Sequence, residues 1–307
     1  METRELIKKV RRIEMVTRRL VNLQLAGQYH SVFKGRGMDF DEVVPYTAGD
    51  DVRFIDWNVS ARTNNLHVKR FVEERELTVL IVVDVSSSMA FGSASETKRL
   101  IAAQIAALLA MLAVRNNDRV GLTVFDHDVE LYIPPKKGRK HVLRLVTEVL
   151  GHTPRRETTN LSAALQYVTR VLKRKAIVFV VSDFLDDLAE RELGILSRRH
   201  DVVPVVITDE REQTWRSPEP DSLWKRLWHG GLLDLHDLET GERRVLDTGS
   251  RRQADAFEKH VEEAQAERAR LFARLRLDTI EFGTELPSET DYVRPLLQFF
   301  RRRTRRS

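Results

Sequence analysis

Four continuous runs of β-branched and apolar residues constrain this chain most: TVLIVVDV (78–85), RVGLTVF (119–125), AIVFVVS (176–182) and DVVPVVIT (201–208). They do not alternate between apolar and polar residues, as expected of strands buried on both faces. Helix-length segments separate them, at 96–114, 138–150, 161–173 and 187–198, and VELYI (129–133) adds a short strand after DHD. Strand, helix, strand, helix over this length implies a mostly parallel sheet covered by helices on both sides. The predicted fold class is α/β, doubly wound. In such a sheet ligands bind in the crevice beyond the carboxyl ends of the strands, so the residues that follow each strand are the first candidates for function.

Segments on either side of this core behave differently. Residues 1–26 read as an amphipathic helix in which Leu6, Val10, Ile13, Val16, Leu20 and Leu23 recur at steps of three and four. Its apolar face suits docking on the core, with a membrane-surface or partner helix as the alternative. In residues 27–77, GRGMDF and TAGDD read as turns and LHVKRFVEE as a strand. Asp50, Asp51, Arg53, Asp56, Arg62 and Lys69 form a dense polar set around Phe54, Ile55 and Trp57, whose spacing specifies no function. Residues 213–248 interrupt the rhythm: SPEPDS is a loop, and GLLDLHDLETGERRVLD reads as two short strands around ETGE. A helix over 250–275, a strand LDTIEF (277–282) and a helix over 289–303 follow. The predicted division is 1–77 as an amino-terminal helix and extension, 78–212 as the α/β core, and 213–307 as a β-rich segment with the last strand, helices and a basic tail.

Composition removes several functions. The chain has no cysteine, which excludes a disulfide framework, a thiolate zinc site, an iron–sulfur cluster and a cysteine nucleophile. The net charge of +5 equals the contribution of five arginines in the terminal RRRTRRS. The body is therefore neutral, and no nucleic-acid partner is expected for the core. The tail itself reads either as a weak contact for acidic lipid or nucleic acid or as a solvated, frayed end. The most apolar stretch, LIAAQIAALLAMLAV, has fifteen residues, short of the ~18 of a spanning helix. The first 26 residues are too charged for a signal peptide. The expected location is cytoplasmic.

The sharpest motif is Asp84-Val85-Ser86-Ser87-Ser88, a D-x-S-x-S at the end of the first buried strand. Alone it reads equally as a strand-to-helix cap, since Asp and Ser are good N-cap residues. Two further segments end near the same edge: Thr158-Thr159-Asn160-Leu161, which opens a helix, and Ser182-Asp183, which ends a strand. Asp84, Ser86, Ser88, Thr159 and Asp183 together supply three hydroxyls and two carboxylates. These are hard oxygen donors, suited to Mg²⁺, Mn²⁺ or Ca²⁺ rather than zinc. Ser86 and Ser88 are expected on an exposed loop, where loss of a hydroxyl leaves the fold intact.

These residues resemble the metal-ion-dependent adhesion site of von Willebrand factor A domains, through D-x-S-x-S, the T-N-L-x-x-A-L starting at Thr159 and the strand-end Asp183. The resemblance covers about residues 76–210. It implies direct metal contacts from Ser86, Ser88 and Thr159, water-mediated contacts from Asp84 and Asp183, and a last ligand supplied by a partner's carboxylate. A longer pattern, GRGMDFDEVVPYTAGDDVRFIDWNVSARTNNLHVKRF followed by DVSSSM, resembles the bacterial domain of unknown function 58 family over about residues 30–250. Many members of that family carry amino-terminal membrane spans; none is expected from this sequence, which puts membrane attachment outside the expectation. Members are often encoded beside MoxR-type AAA+ ATPases, so the resemblance implies a partner or adaptor of such an ATPase, acting on it or on its client.

Other chemistry fits less well. Gly35-Arg36-Gly37 lacks the preceding strand and third glycine of a dinucleotide fingerprint, and no G-x-x-x-x-G-K-[ST] occurs. Asp126, His127 and Asp128 read as turn residues, and Trp224 and Trp228 as packing one helical turn apart. Haloacid dehalogenase phosphatases place D-x-D-x-T after a buried first strand. Ser86 replaces the second Asp here, so the proton shuttle is missing. A serine hydrolase would need a G-x-S-x-G turn and an oriented His. The reading is a metal-dependent protein-interaction module that binds without turnover, with a metal-dependent phosphohydrolase of haloacid dehalogenase type as the alternative.

Overall fold

A computed structural model describes residues 3–20, 25–33, 37–74, 76–92, 97–152, 154, 158–185, 188–213, 232–236, 243–247, 251–285 and 292–305. Along the chain the elements are α1 (Thr3–Leu20), α2 (Ala26–Val32), β1 (Gly37–Pro45), α3 (Trp57–Thr63), β2 (His67–Glu74), β3 (Thr78–Asp84), α4 (Lys98–Arg115), β4 (Arg119–Phe125), β5 (Val129–Lys136), α5 (Arg139–Gly151) and α6 (Leu161–Val171). They continue with β6 (Ile177–Ser182), α7 (Glu190–Arg199), β7 (Asp201–Thr208), α8 (Glu210–Gln213), β8 (Leu232–His236), β9 (Arg243–Asp247), α9 (Arg251–Arg274), β10 (Ile280–Gly283) and α10 (Val293–Thr304).

Six strands form the central sheet in the order β10-β7-β6-β3-β4-β5. All neighbours are parallel except β5, which returns antiparallel to β4 at one edge. From β3 the chain winds one way through β4 and β5 and then the other way through β6, β7 and β10. This is a doubly wound fold of von Willebrand factor A type. The winding reverses between β3 and β6, and the crevice at their carboxyl ends is the topological switch point where such sheets bind ligands. The sheet takes its sixth strand from beyond residue 212.

Period-two geometry explains why β3 has no polar residue between Thr78 and Asp84. Val79, Ile81 and Val83 enter one core, with α4, α5, α1, α2 and α10, while Leu80 and Val82 enter the opposite core, with α6, α7 and α9. Helix α4 is apolar all round and buried along most of its length, as a helix sandwiched between the sheet and other helices must be. Strand β5 runs past the predicted VELYI through Pro134 and Pro135 to Lys136. An edge strand tolerates proline because its outward N–H groups need no ladder partner. Gly121 on β4 makes this approach possible, since a Cβ there would lie 2.8 Å from the Ile133 carbonyl oxygen.

The amino-terminal helix docks on the core. Ile13 and Leu20 are buried against α4 and α5; Leu23, Trp224, Trp228 and SPEPDS lie outside the described residues. Two expectations need correction. Part of GRGMDF is strand rather than turn, because Gly37–Phe40 opens β1 and pairs with β2. The tail is not a frayed end over 301–305: α10 continues through Thr304, and the Arg303 guanidinium lies over the rings of Phe33 (4.9 Å) and Phe299 (5.7 Å). Arg303 also pairs with Asp201, so its charge is neutralised and its stem packed. TAGDD is a turn, held by Asp50 Oδ2, which accepts from Thr47 N and Oγ1 at 2.8 Å each. Strands β8 and β9 pair antiparallel. Among the described residues, no helix is long and apolar enough to cross a membrane.

Candidate functional site

Asp84 ends β3 at the switch point and is fully buried. Its Oδ1 accepts from Ser86 N at 2.9 Å and its Oδ2 from Ser182 Oγ at 2.8 Å. The first bond folds the chain back into the D-x-S-x-S loop; the second joins β3 to the end of β6. Ser86 stands at the N-cap of the following short helical turn but makes no side-chain cap bond there. Its Oγ lies 3.2 Å from Ser88 Oγ instead, so the two hydroxyls converge. Both serines are buried, not exposed as the loop's position implied. The loop folds under itself because Met89 N and Phe91 N bond back to the Ser86 and Ser88 carbonyls, and Met89 anchors it in the core.

Thr159 comes in through the neighbouring strand. Val85 N donates to the Phe125 carbonyl, and Asn160 N donates to the carbonyl of Asp126, one residue further on. Asn160 caps α6 by accepting from Ala163 N at 2.9 Å. Thr158 Oγ1 sits 3.0 Å from His127 Nδ1. Asp126, His127 and Asp128 are thus the tight turn the sequence predicts, with Asp128 N bonded to Asp126 Oδ1 at 3.1 Å, and the turn also braces the Thr159 loop. Among the described residues, the buried Thr159 Oγ1 atom has no hydrogen-bond partner.

Asp183 follows Ser182 and is buried. Its Oδ2 accepts from Lys98 Nζ at 2.7 Å, its Oδ1 from Leu185 N at 3.4 Å, and its carbonyl from Arg268 Nη1 of α9 at 3.2 Å. Lys98 is fully buried and also donates to Glu212 Oε1 and Oε2 at 2.7 and 2.9 Å. Sequence reasoning missed Lys98, Glu212 and the role of Ser182. Lys98 carried a signal: it opens an apolar helix, where the macrodipole disfavours a cation unless carboxylates meet it. Glu212 carried none, since its partner is 114 residues away in the chain.

The electrostatics follow from burial. Asp84 is pushed up to about 7, first by burial and then by the charge of Asp183, with the Ser86 and Ser182 hydrogen bonds pulling the other way. Burial works against the Lys98 charge, but Asp183 and Glu212 outweigh it and raise the Lys98 pKa. Burial also raises Glu212, against the pull of Lys98. Among the described residues, no three His, Cys, Asp or Glu side chains gather closely enough to hold a metal by themselves. Two observations fit hard-cation chemistry: the convergent Ser86 and Ser88 hydroxyls, and a buried Thr159 hydroxyl with no partner among the described residues.

The model of the family described as "Protein of unknown function DUF58" matches residues 42–267. The chain belongs to this family. The matched span contains Asp84, Ser86, Ser88, Lys98, Thr159, Asp183 and Glu212, and begins after α1 and α2. Similar relatives include the uncharacterized proteins Rv1480 of Mycobacterium tuberculosis and Mb1516 of Mycobacterium bovis. Each is 30% identical over 207 residues, which is 66% of this chain and 65% of the relative. Among solved structures, the DUF58 chain is similar to the conserved hypothetical protein BatB from Bacteroides thetaiotaomicron (12% identity, TM-score 0.43, 73% of this chain and 98% of that one). It is also similar to a von Willebrand factor type A protein from Catenulispora acidiphila (9% identity, TM-score 0.37, 77% of this chain and 44% of that one).

Proposed function

We propose that this DUF58 protein is a metal-dependent protein-interaction module. One Mg²⁺, Mn²⁺ or Ca²⁺ would be held by the hydroxyls of Ser86, Ser88 and Thr159, with Asp84 and Asp183 acting through water. The observation that carries the reading is the buried Thr159 hydroxyl, without a partner among the described residues, on a loop tied through Asn160 to the strand neighbouring the Ser86 and Ser88 loop. A buried polar atom without a partner costs about 1–3 kcal/mol, and a bound cation would remove that cost. Neutral first ligands leave the ion electron-poor, so it would attract a carboxylate from a partner. The family resemblance points to a MoxR-type AAA+ ATPase or its client as that partner, in assembly or remodelling of other proteins. A cytoplasmic setting belongs to the same proposal and is open to cell fractionation.

The phosphohydrolase alternative fits the geometry less well. A nucleophilic Asp84 would need an oxygen free to attack phosphorus, yet both of its oxygens accept hydrogen bonds and the residue is fully buried. The test is a binding titration of a MoxR-type ATPase from the same organism, with and without chelator, on wild type and Thr159→Ala. Both treatments should weaken binding equally, and together no more than either alone. Additive losses, or none, would move the interaction to another face.

A further inference from the structure

Lys98 is a buried cation at the edge of the candidate centre, and nothing derived above gives it a task. It neither reaches solvent nor contacts Ser86, Ser88 or Thr159 through any described hydrogen bond. Its ammonium joins one carboxylate of the centre, Asp183, to one outside it, Glu212 on α8.

We infer that Lys98 is a positioning residue that keeps Asp183 from ligating the metal directly. The inference rests on the metal-binding reading proposed above. Both Asp183 oxygens are engaged, Oδ2 by Lys98 Nζ and Oδ1 by Leu185 N. Turning Oδ2 towards a cation would break a charge-assisted bond in a site shielded from water, where such bonds are strongest. The 2.7 Å bond to Lys98 fixes the orientation of the carboxylate as a whole, more firmly than the 3.4 Å bond to Oδ1. Glu212 makes the restraint durable, because it fixes the ammonium from its other side with both oxygens. Charge balance agrees. With Asp84, Asp183 and Glu212 ionised, Lys98 leaves two negative charges, which is the charge of one divalent ion. A direct Asp183 ligand would neutralise half of the ion's charge and lower its attraction for a partner's carboxylate. Lys98 thus trades metal affinity for binding strength towards the partner. Glu212 makes the centre sensitive to the position of α8.

The experiment uses Mn²⁺ alone as the probe and compares wild type with the double variant Lys98→Met/Glu212→Gln. Removing both leaves net charge unchanged and strands no charge at position 212, so Asp183 alone loses its partner. The released Asp183 should then ligate directly. Mn²⁺ should bind about fivefold or more tightly, as carboxylate ligation raises affinity for hard cations, and the bound ion should carry fewer exchangeable waters by proton relaxation. A purely structural role would only weaken binding. A folded double variant with wild-type or weaker affinity and unchanged hydration overturns the inference. If the double variant does not fold, Lys98→Gln decides by hydration: with the charge-assisted bond to Asp183 gone, bound Mn²⁺ should carry fewer exchangeable waters, while unchanged hydration overturns the proposal. Absence of Mn²⁺ binding in wild type and variants alike overturns the metal reading itself, and this inference with it.

Discussion

Tyr29 donates its hydroxyl hydrogen to Asp118 Oδ2 at 3.0 Å, tying α2 of the amino-terminal extension to the turn that enters β4. Asp118 Oδ1 accepts from Leu77 N at 2.8 Å, so one buried carboxylate holds together the extension, the start of β3 and the start of β4. Tyr29 sits edge-on to Phe300 of α10 and beside Phe33, which makes the extension part of the same core. Tyr29→Phe should cost about 1 kcal/mol by urea denaturation at neutral pH. An unchanged midpoint would show that the bond contributes nothing net.

The same carboxylate sets a pH dependence. Burial above all, and then the charge of Glu76, push Asp118 up to about 6, against the hydrogen bonds from Leu77 and Tyr29. A carboxyl raised in the folded state holds its proton there longer than in the unfolded chain. Its contribution is favourable at acid pH and declines as pH rises from about 4 to 6. Asp118→Asn should remove that decline, so its stability relative to wild type should rise across this window. A difference that stays constant with pH contradicts the assignment.

Ser86→Ala and Ser88→Ala should each cost about 0.5–1.5 kcal/mol, because the two hydroxyls are buried and meet each other rather than water. The double variant should lose less than the sum of the two, since one bond is shared. Circular dichroism should show the fold retained in all three.

Arg303→Ala should lower the melting temperature through lost packing on Phe33 and Phe299 and the stranded Asp201, at about 1–2 kcal/mol. Arg301→Ala, at an exposed position of the same helix, should stay within about 0.5 kcal/mol. Equal effects of the two would return the whole tail to the status of a solvated end.

How far the sequence could be read depended on the range of the interactions. The runs at β3, β4, β6 and β7 are buried on both faces, so each declares itself locally, and β4 and β7 match the predicted bounds. Asp84, Ser86, Ser88, Thr159 and Asp183 were legible because they follow strands or open a helix at the switch point. The burial of Ser86 and Ser88 was not legible, because it depends on Met89 anchoring the loop. Lys98 and Glu212 escaped for a related reason: an ion pair between the start of α4 and α8 leaves no periodic trace. Gly37 was misread because a glycine can begin a strand as readily as it can make a turn, and only its pairing with Glu74 decides.

Proton and metal should compete at Asp84. With its pKa raised to about 7, Mn²⁺ affinity should fall as pH drops below 7, by up to about tenfold per unit. Without metal, the Asp84 contribution to stability should decline as pH rises from about 4 to 7, because the folded state holds the proton longer. Saturating Mn²⁺ should recover that loss at pH 8. A Mn²⁺ affinity independent of pH between 5.5 and 8 contradicts the role given to Asp84.

Calorimetric titration of Mn²⁺ into wild type, Asp84→Asn and Thr159→Val tests the metal centre most directly, because each variant removes one charge or one hydroxyl while keeping the side chain's shape. One ion should bind per wild-type chain, and both variants should keep their fold and lose most of that affinity. Wild type that binds no ion, or variants that bind as wild type does, would contradict the account.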